Sequence, residues 1–293
     1  MIKQFTLALC AASMFSSTAA IAQDDDGGTF LGGEFSANVA IATDYTFRGI
    51  SQNSGDPAVS GGIDWASDLF YVGTWASTVD FNDDLVNPFT DEVISDGSQL
   101  ELDLYFGYTP SLGDLSLDFG FTYYLYPGAP QGEDDIIVPG VLDAGQQALA
   151  DALGVVAGEV LLDFADQNYL ELKAGGTYPV GPVELGFNLT YSPDYYFETG
   201  DVLIPSTSIS FPLGGAVPFA GSELSLAFSG QIGYLGFLGN GIPEGAGFGE
   251  NYWDFGAGVT ATWFGIDFDV RYIDTFGLAG NGSTGIFTIS KSF

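Results

Sequence analysis

Charged residues two positions apart are the first chemistry the chain offers. Glu101 and Asp103, Asp267 and Asp269, Glu171 and Lys173, and Asp269 and Arg271 all share this spacing. In an extended chain such residues fall on one face about 7 Å apart. Two carboxyl groups at that distance could trade protons as acid and base or draw in a cation. Nothing in the pattern singles out one pair as a catalytic acid with its base.

The chain has 38 Asp and Glu against 5 Lys and Arg, a formal charge of −33, and no His. Without His there is no Ser-His-Asp or Cys-His relay and no His-ligated zinc. The serine and histidine of an outer-membrane phospholipase cannot be assembled. The expectation is a protein that is not an enzyme and needs no cofactor or resident metal. So few basic residues cannot displace the counterions of a nucleic acid, which removes that partner as well.

Three acidic clusters, Asp24 to Asp26, Asp80 to Asp84 and Glu133 to Asp135, lack the spacing of an EF-hand. They read as solvated loops, suited to a salty habitat or to divalent ions bridging lipopolysaccharide. Gly239, Gly241 and Gly245 superficially fit a dinucleotide loop. Pro243 and the lack of a following helix leave flexibility as the better reading.

The elements that position these charges follow from hydropathy. The chain is 46% hydrophobic and 15% aromatic, with a mean hydropathy of +0.22. That is too apolar for disorder. Beyond residue 22 no apolar run approaches the roughly 18 residues of a membrane helix. A membrane β-barrel satisfies both facts, because its strands turn alternate side chains to lipid and to the lumen.

Period-two alternation appears in twelve windows: 35–47, 58–66, 69–79, 99–108, 115–126, 168–178, 183–191, 206–213, 224–234, 253–263, 266–273 and 283–293. In 69–79 the two faces cannot be told apart. Twelve is an even number, as single-chain bacterial barrels require. Long and short connections alternate as extracellular loops and periplasmic turns should, except that 214–222 is long for a turn. A soluble lipocalin-like barrel or sandwich also alternates, but it turns its apolar face inward. The fold class is therefore all-β, an antiparallel transmembrane barrel of about 12 strands with long extracellular loops.

On the polar face fall Asp44, Asp64, Glu101, Asp103, Asp118, Glu171, Glu184, Asp254, Asp267 and Asp269, against Arg48, Lys173 and Arg271. An acidic, low-dielectric tube concentrates cations and repels anions. The aromatic residues Tyr45, Phe47, Tyr108, Tyr126, Tyr178, Tyr191, Tyr234, Trp253, Trp263 and Tyr272 read as two interfacial girdles.

Residues 1–22 have the form of a cleaved secretory signal, with Lys3, an apolar stretch and the ending Ala20-Ile21-Ala22. Cys10 lies inside the apolar stretch, behind bulky Leu9, and is read as a signal residue rather than an acylation site. Cleavage would leave no Cys and hence no disulfide. A short acidic segment, 23–34, would lead into a barrel of residues 35–293. The insertion 132–167 carries Leu142, Leu149, Leu153, Val156, Val160 and Phe164 at helical spacing, with Asp143 as N-cap. A lid over the mouth is the favoured reading of that helix, and a plug the other.

The final strand ends on Phe293 in the manner of a signal read by the barrel assembly machinery. Residues 36–65 (SANVAIATDYTFRGISQNSGDPAVSGGIDW), 70–81 (FYVGTWASTVDF), 100–109, 123–128, 191–195 and the ending ISKSF together carry a family resemblance. The chain resembles the TorF-like family, barrels classed as outer-membrane porins, over nearly its whole length beyond the signal. The resemblance implies an outer-membrane barrel of channel type, with no reaction and no defined solute. The chain departs from the family pattern between 132 and 167, where the family turns within a few residues.

The functional expectation is a porin-like channel in the bacterial outer membrane for passive diffusion of ions and small solutes, preferring cations. The alternative is a closed structural or surface-binding barrel. Its partners would be outer-membrane lipid and lipopolysaccharide, the assembly machinery, and small solutes or cations.

Overall fold

The alternating windows become twelve antiparallel strands: β1 (Glu34–Ala42), β2 (Ala58–Ala66), β3 (Phe70–Thr78), β4 (Leu100–Tyr108), β5 (Leu115–Leu125) and β6 (Tyr169–Val180) form the first half. The second half is β7 (Val183–Ser192), β8 (Val202–Pro212), β9 (Ser222–Phe237), β10 (Tyr252–Trp263), β11 (Ile266–Phe276) and β12 (Thr284–Ser292). The computed structural model describes residues 32–80, 85–86, 93–95, 97–129, 136–137, 139–153, 156–158, 160–162, 167–239, 251–278 and 282–293. The expected signal, Asp24 to Asp26, Asp83, Asp84, Glu133 to Asp135, Gly241 and Gly245 lie outside the described residues.

Each strand pairs with the next, and β12 pairs back onto β1 from Ala42↔Thr288 to Asn38↔Ser292. Phe293 extends that seam, donating its N–H to the Ala37 carbonyl at 2.8 Å and accepting the Ala37 N–H at 3.2 Å. Closure leaves the twelve barrel strands without a free edge, which a hydrocarbon environment would not tolerate.

The alternation sorts cleanly by face. On β11, Val270 is 62% exposed while Arg271 beside it is 8% exposed. Phe35, Ile41, Ile63, Leu104, Phe187 and Phe287 join Val270 on the outer surface. Such a continuous apolar exterior is what lipid contact demands. The ambiguous strand β3 is now resolved: Phe70 and Val72 face out, while Tyr71 and Ser77 are buried inside.

The turns explain the one irregular connection. Phe264 and Gly265 have φ of 52° and 67°, so β10 and β11 are joined by a two-residue turn of the type whose twist suits hairpins. Between β8 and β9 a short strand, Val217–Phe219, folds back on Ser222 to Leu224. The connection 214–222 is long because it carries its own hairpin.

In the insertion, helix α1 (Ala144–Leu153) starts at Asp143. The Asp143 carboxylate accepts the N–H groups of Gly145 and Gln146, both at 2.8 Å, and the Gln146 side chain accepts the Asp143 N–H at 3.0 Å. This is a reciprocal capping arrangement. The helix is Ala144–Leu153, and Phe164 at the end of the expected helical spacing lies outside the described residues. Gly158, at φ 86°, turns the chain, and Val160–Leu162 pairs with Ile136–Ile137. Most described helix side chains are exposed, which is the wrong environment for a plug in the lumen.

Candidate functional site

The first expected strand does not run to Phe47. It stops at Ala42, and residues 43–57 fold inward as a tongue. The tip of the tongue is a hairpin, Thr46–Phe47 against Ile50–Ser51. Its turn residues Arg48 and Gly49 have φ of 48° and 82°. The backbone is fixed by the Gln52 N–H donating to the Tyr45 carbonyl at 2.6 Å and the Asp80 N–H donating to the Gln52 carbonyl at 2.9 Å.

The tip reaches across the mouth of the barrel. Arg48 donates through Nη1 to Glu171 Oε1 at 2.7 Å and through Nη2 to Oε2 at 2.8 Å, a two-pronged contact with β6 on the far wall. The same guanidinium lies 4.3 Å from the Phe47 ring centre and donates to the Tyr195 hydroxyl at 3.2 Å. On the other side, a Cβ added at Gly49 would run into Thr275 of β11. The tongue thus bridges β6 and β11.

Tyrosines fill the space around it. Tyr45 donates to Glu101 Oε1 at 2.6 Å, and Tyr126 donates to Glu101 Oε2 at 2.8 Å. Tyr124 stacks on Tyr169 with ring centres 4.4 Å apart and donates to Glu171 at 3.2 Å. Tyr45, Phe47, Tyr124, Tyr126 and Tyr169 form one buried cluster, with Trp75, Tyr195 and Tyr196 packed against it. The expectation that Tyr45, Phe47 and Tyr126 belong to lipid-facing girdles is therefore corrected. Their rings are buried in the lumen, where Tyr45 and Tyr126 donate to Glu101 and Phe47 packs against the Arg48 guanidinium and the Tyr124 ring. Tyr108, Tyr178, Trp253 and Tyr272 do stand on the exposed exterior.

Towards the short-turn end the wall is polar and paired. Lys173 meets Asp118 at 2.8 Å, and Tyr71 donates to the same carboxylate at 3.0 Å. Tyr105 donates to Asp64 at 2.5 Å. On the opposite wall Arg271 meets Asp269 at 3.3 Å and donates to Ser229 at 2.8 Å. Thr260 and Thr262 donate to Asp269 and Asp267 at 2.7 and 2.5 Å.

The strand parity places Asp64, Glu101, Asp103, Asp118, Glu171, Lys173, Glu184, Asp254, Asp267, Asp269 and Arg271 on the inner face. Asp44 and Arg48 reach the same space from the tongue instead of the wall, which corrects their expected position on the first strand. Ser51 donates to Asp44 at 2.8 Å, yet burial pushes the Asp44 carboxyl above its ordinary value. Each of the three bases is matched to one acid. Among the described residues Asp44, Asp64, Glu101, Asp103, Glu184, Asp254 and Asp267 form no ion pair with a base.

Sequence reasoning missed Trp75 as a lumen residue, since the faces of its strand were ambiguous. Tyr124 was missed because the polar face of its strand, Ser116, Asp118, Gly120 and Thr122, carries small polar residues, and an aromatic continuing it draws no notice. Its parity with Asp118 on β5 was the available signal.

A bacterial protein family of unknown function, Gcw_chp, matches residues 28–192, more than half of the chain. The chain belongs to this family. The match covers the first four segments that resemble TorF-like sequences, but the family it identifies carries no such name and no assigned role. A comparison with curated proteins finds no match. Among solved structures the chain is similar to LpxR from Salmonella typhimurium, with a TM-score of 0.41 and 9% identity over 88% of this chain and 99% of that one. It is also similar to an outer-membrane channel from Pseudomonas putida F1, with a TM-score of 0.38 and 9% identity over 92% and 99% of the two chains. OmpF from Salmonella typhi, in complex with daunomycin, has a TM-score of 0.38 and 10% identity over 89% and 97%.

Proposed function

We propose that this member of the Gcw_chp family is a porin-like channel of the bacterial outer membrane, passing small cations in preference to anions. The resemblance of its motifs to TorF-like porins agrees with this reading. The observation that carries it is the lumen: a closed tube, apolar outside, whose inner wall holds six acids, joined by Asp44 of the tongue, that form no ion pair among the described residues. Such a wall sets a negative potential along the water column. A twelve-stranded tube is wider than the eight-stranded kind that side chains fill completely, and much narrower than a sixteen-stranded porin. The tongue narrows it further, so the constriction is built by residues 43–57 and not by helix α1.

The same tongue supports a second reading, a closed barrel that serves the surface without transport. The aromatic cluster and the Arg48–Glu171 contact occupy the long-loop end of the lumen. Purified, refolded protein in a planar bilayer separates the two. Discrete current steps support the channel, and a silent bilayer at high protein load supports the closed barrel.

A further inference from the structure

The long-loop half of the lumen brings together Glu101, Asp103 and Glu171, with Arg48 as the base that reaches them. Arg48 is engaged by Glu171 on both prongs. Glu101 accepts two tyrosine hydroxyls. Asp103 has neither kind of partner. It is 3% exposed, it faces inward, and its buried Oδ1 makes no hydrogen bond. A buried carboxylate without a donor or counter-charge is among the costliest arrangements a protein can hold.

The pairing register shows what surrounds it. Asp103 lies directly opposite Trp75 on β3 and directly opposite Tyr124 on β5. Directly opposed side chains stand about 5 Å apart at Cβ. The carboxylate is therefore flanked by an indole and a phenol, and aromatic faces attract positive charge. No group of three His, Cys, Asp or Glu able to hold a metal ion forms among the described residues, so a divalent chelate does not fit. A proton or a monovalent cation on Asp103 would each cancel its charge and relieve its repulsion with Glu101; the cation also gains from the two aromatic faces beside it, which a protonated carboxyl does not.

We infer that Asp103, walled by Trp75 and Tyr124, is a binding station for a monovalent inorganic cation such as sodium or potassium. The inference rests on the channel reading and gives it a specific stopping point: a cation entering past the tongue is held beside Asp103 before it moves on. The station's second negative charge comes from Glu101, two residues along the same face of β4.

The test is an equilibrium measurement that does not depend on conduction. Sodium-23 line broadening is recorded on the refolded full chain in detergent and titrated with potassium chloride. Wild type should show broadening that potassium displaces. Asp114→Asn, which removes one charge from an exposed turn, should keep it. Asp103→Asn should weaken sodium binding at least about tenfold. Trp75→Leu keeps every carboxylate and should also weaken it, which covers the case of a misfolded Asp103 variant. Wild type without displaceable broadening, or broadening that survives both substitutions, overturns the proposal. Intact binding with a silent bilayer would sink the channel reading alone. Conduction without Asp103-dependent binding would sink the station alone.

Discussion

Replacing Arg48 by Ala isolates the contact on which the tongue depends. The Arg48 and Glu171 side chains are 10% and 6% exposed, and two short charge-assisted bonds join them. Removing one member strands the other as a buried charge, at a cost of about 3–5 kcal/mol. The Tyr124 hydroxyl, at 3.2 Å from Glu171, offsets only part of this. At about 1.4 kcal/mol per decade, the ratio of docked to undocked tongue should fall by roughly two to three and a half decades. Hydrogen exchange reads this directly at the Gln52 amide, which is bonded to the Tyr45 carbonyl inside the tongue. Exchange there should accelerate by at least about a hundredfold, while amides in the β9–β10 ladder hold. The double variant Arg48→Ala/Glu171→Gln strands no charge and should recover at least half of the lost protection. Unchanged exchange in Arg48→Ala, or a double variant whose loss is simply the sum of two independent losses, would refute the latch.

Three further outcomes follow from the same geometry. Gly49→Ala places a methyl group against Thr275 at a backbone φ of 82°, so it should undock the tongue as Arg48→Ala does, seen as raised single-channel conductance. Asp44 tests the pH dependence. Burial raises its carboxyl above the usual value, so its contribution favours the docked tongue below about pH 4 and is lost as pH rises through the folded value. Asp44→Asn should therefore slow exchange at Gln52 at pH 7 and change nothing at pH 3; equal effects at both values would contradict the assignment. Replacing Glu101 and Asp103 together by Gln and Asn should move the zero-current potential in a salt gradient towards zero, and an unmoved potential would show that these carboxylates do not govern selectivity.

How much of this was legible depends on which residues carry the information. Period-two alternation is imposed by the pleat itself, so Leu100 to Tyr108 or Trp253 to Trp263 declared both strand and face without knowledge of the partner strand. The tongue was hidden for the same reason. Thr43, Tyr45 and Phe47 continue the alternation of β1, and a hairpin folding inward has the same period as a wall. Only the neighbouring Arg48-Gly49 pair hinted at a turn. Tyr45 and Tyr126 could not be assigned a side from sequence, because a tyrosine suits both a lipid headgroup zone and a wet lumen. What decides between them is Glu101, 56 residues from Tyr45 along the chain. The helix boundary failed because apolar spacing continued past Leu153 into Val160–Leu162, which pairs as a strand with Ile136–Ile137.

The zero-current potential of a bilayer holding the refolded wild-type chain, with potassium chloride concentrated on one side, tests the central claim most directly. An acidic lumen that conducts must give the sign of a cation-selective path. The opposite sign, or the absence of any current, contradicts it.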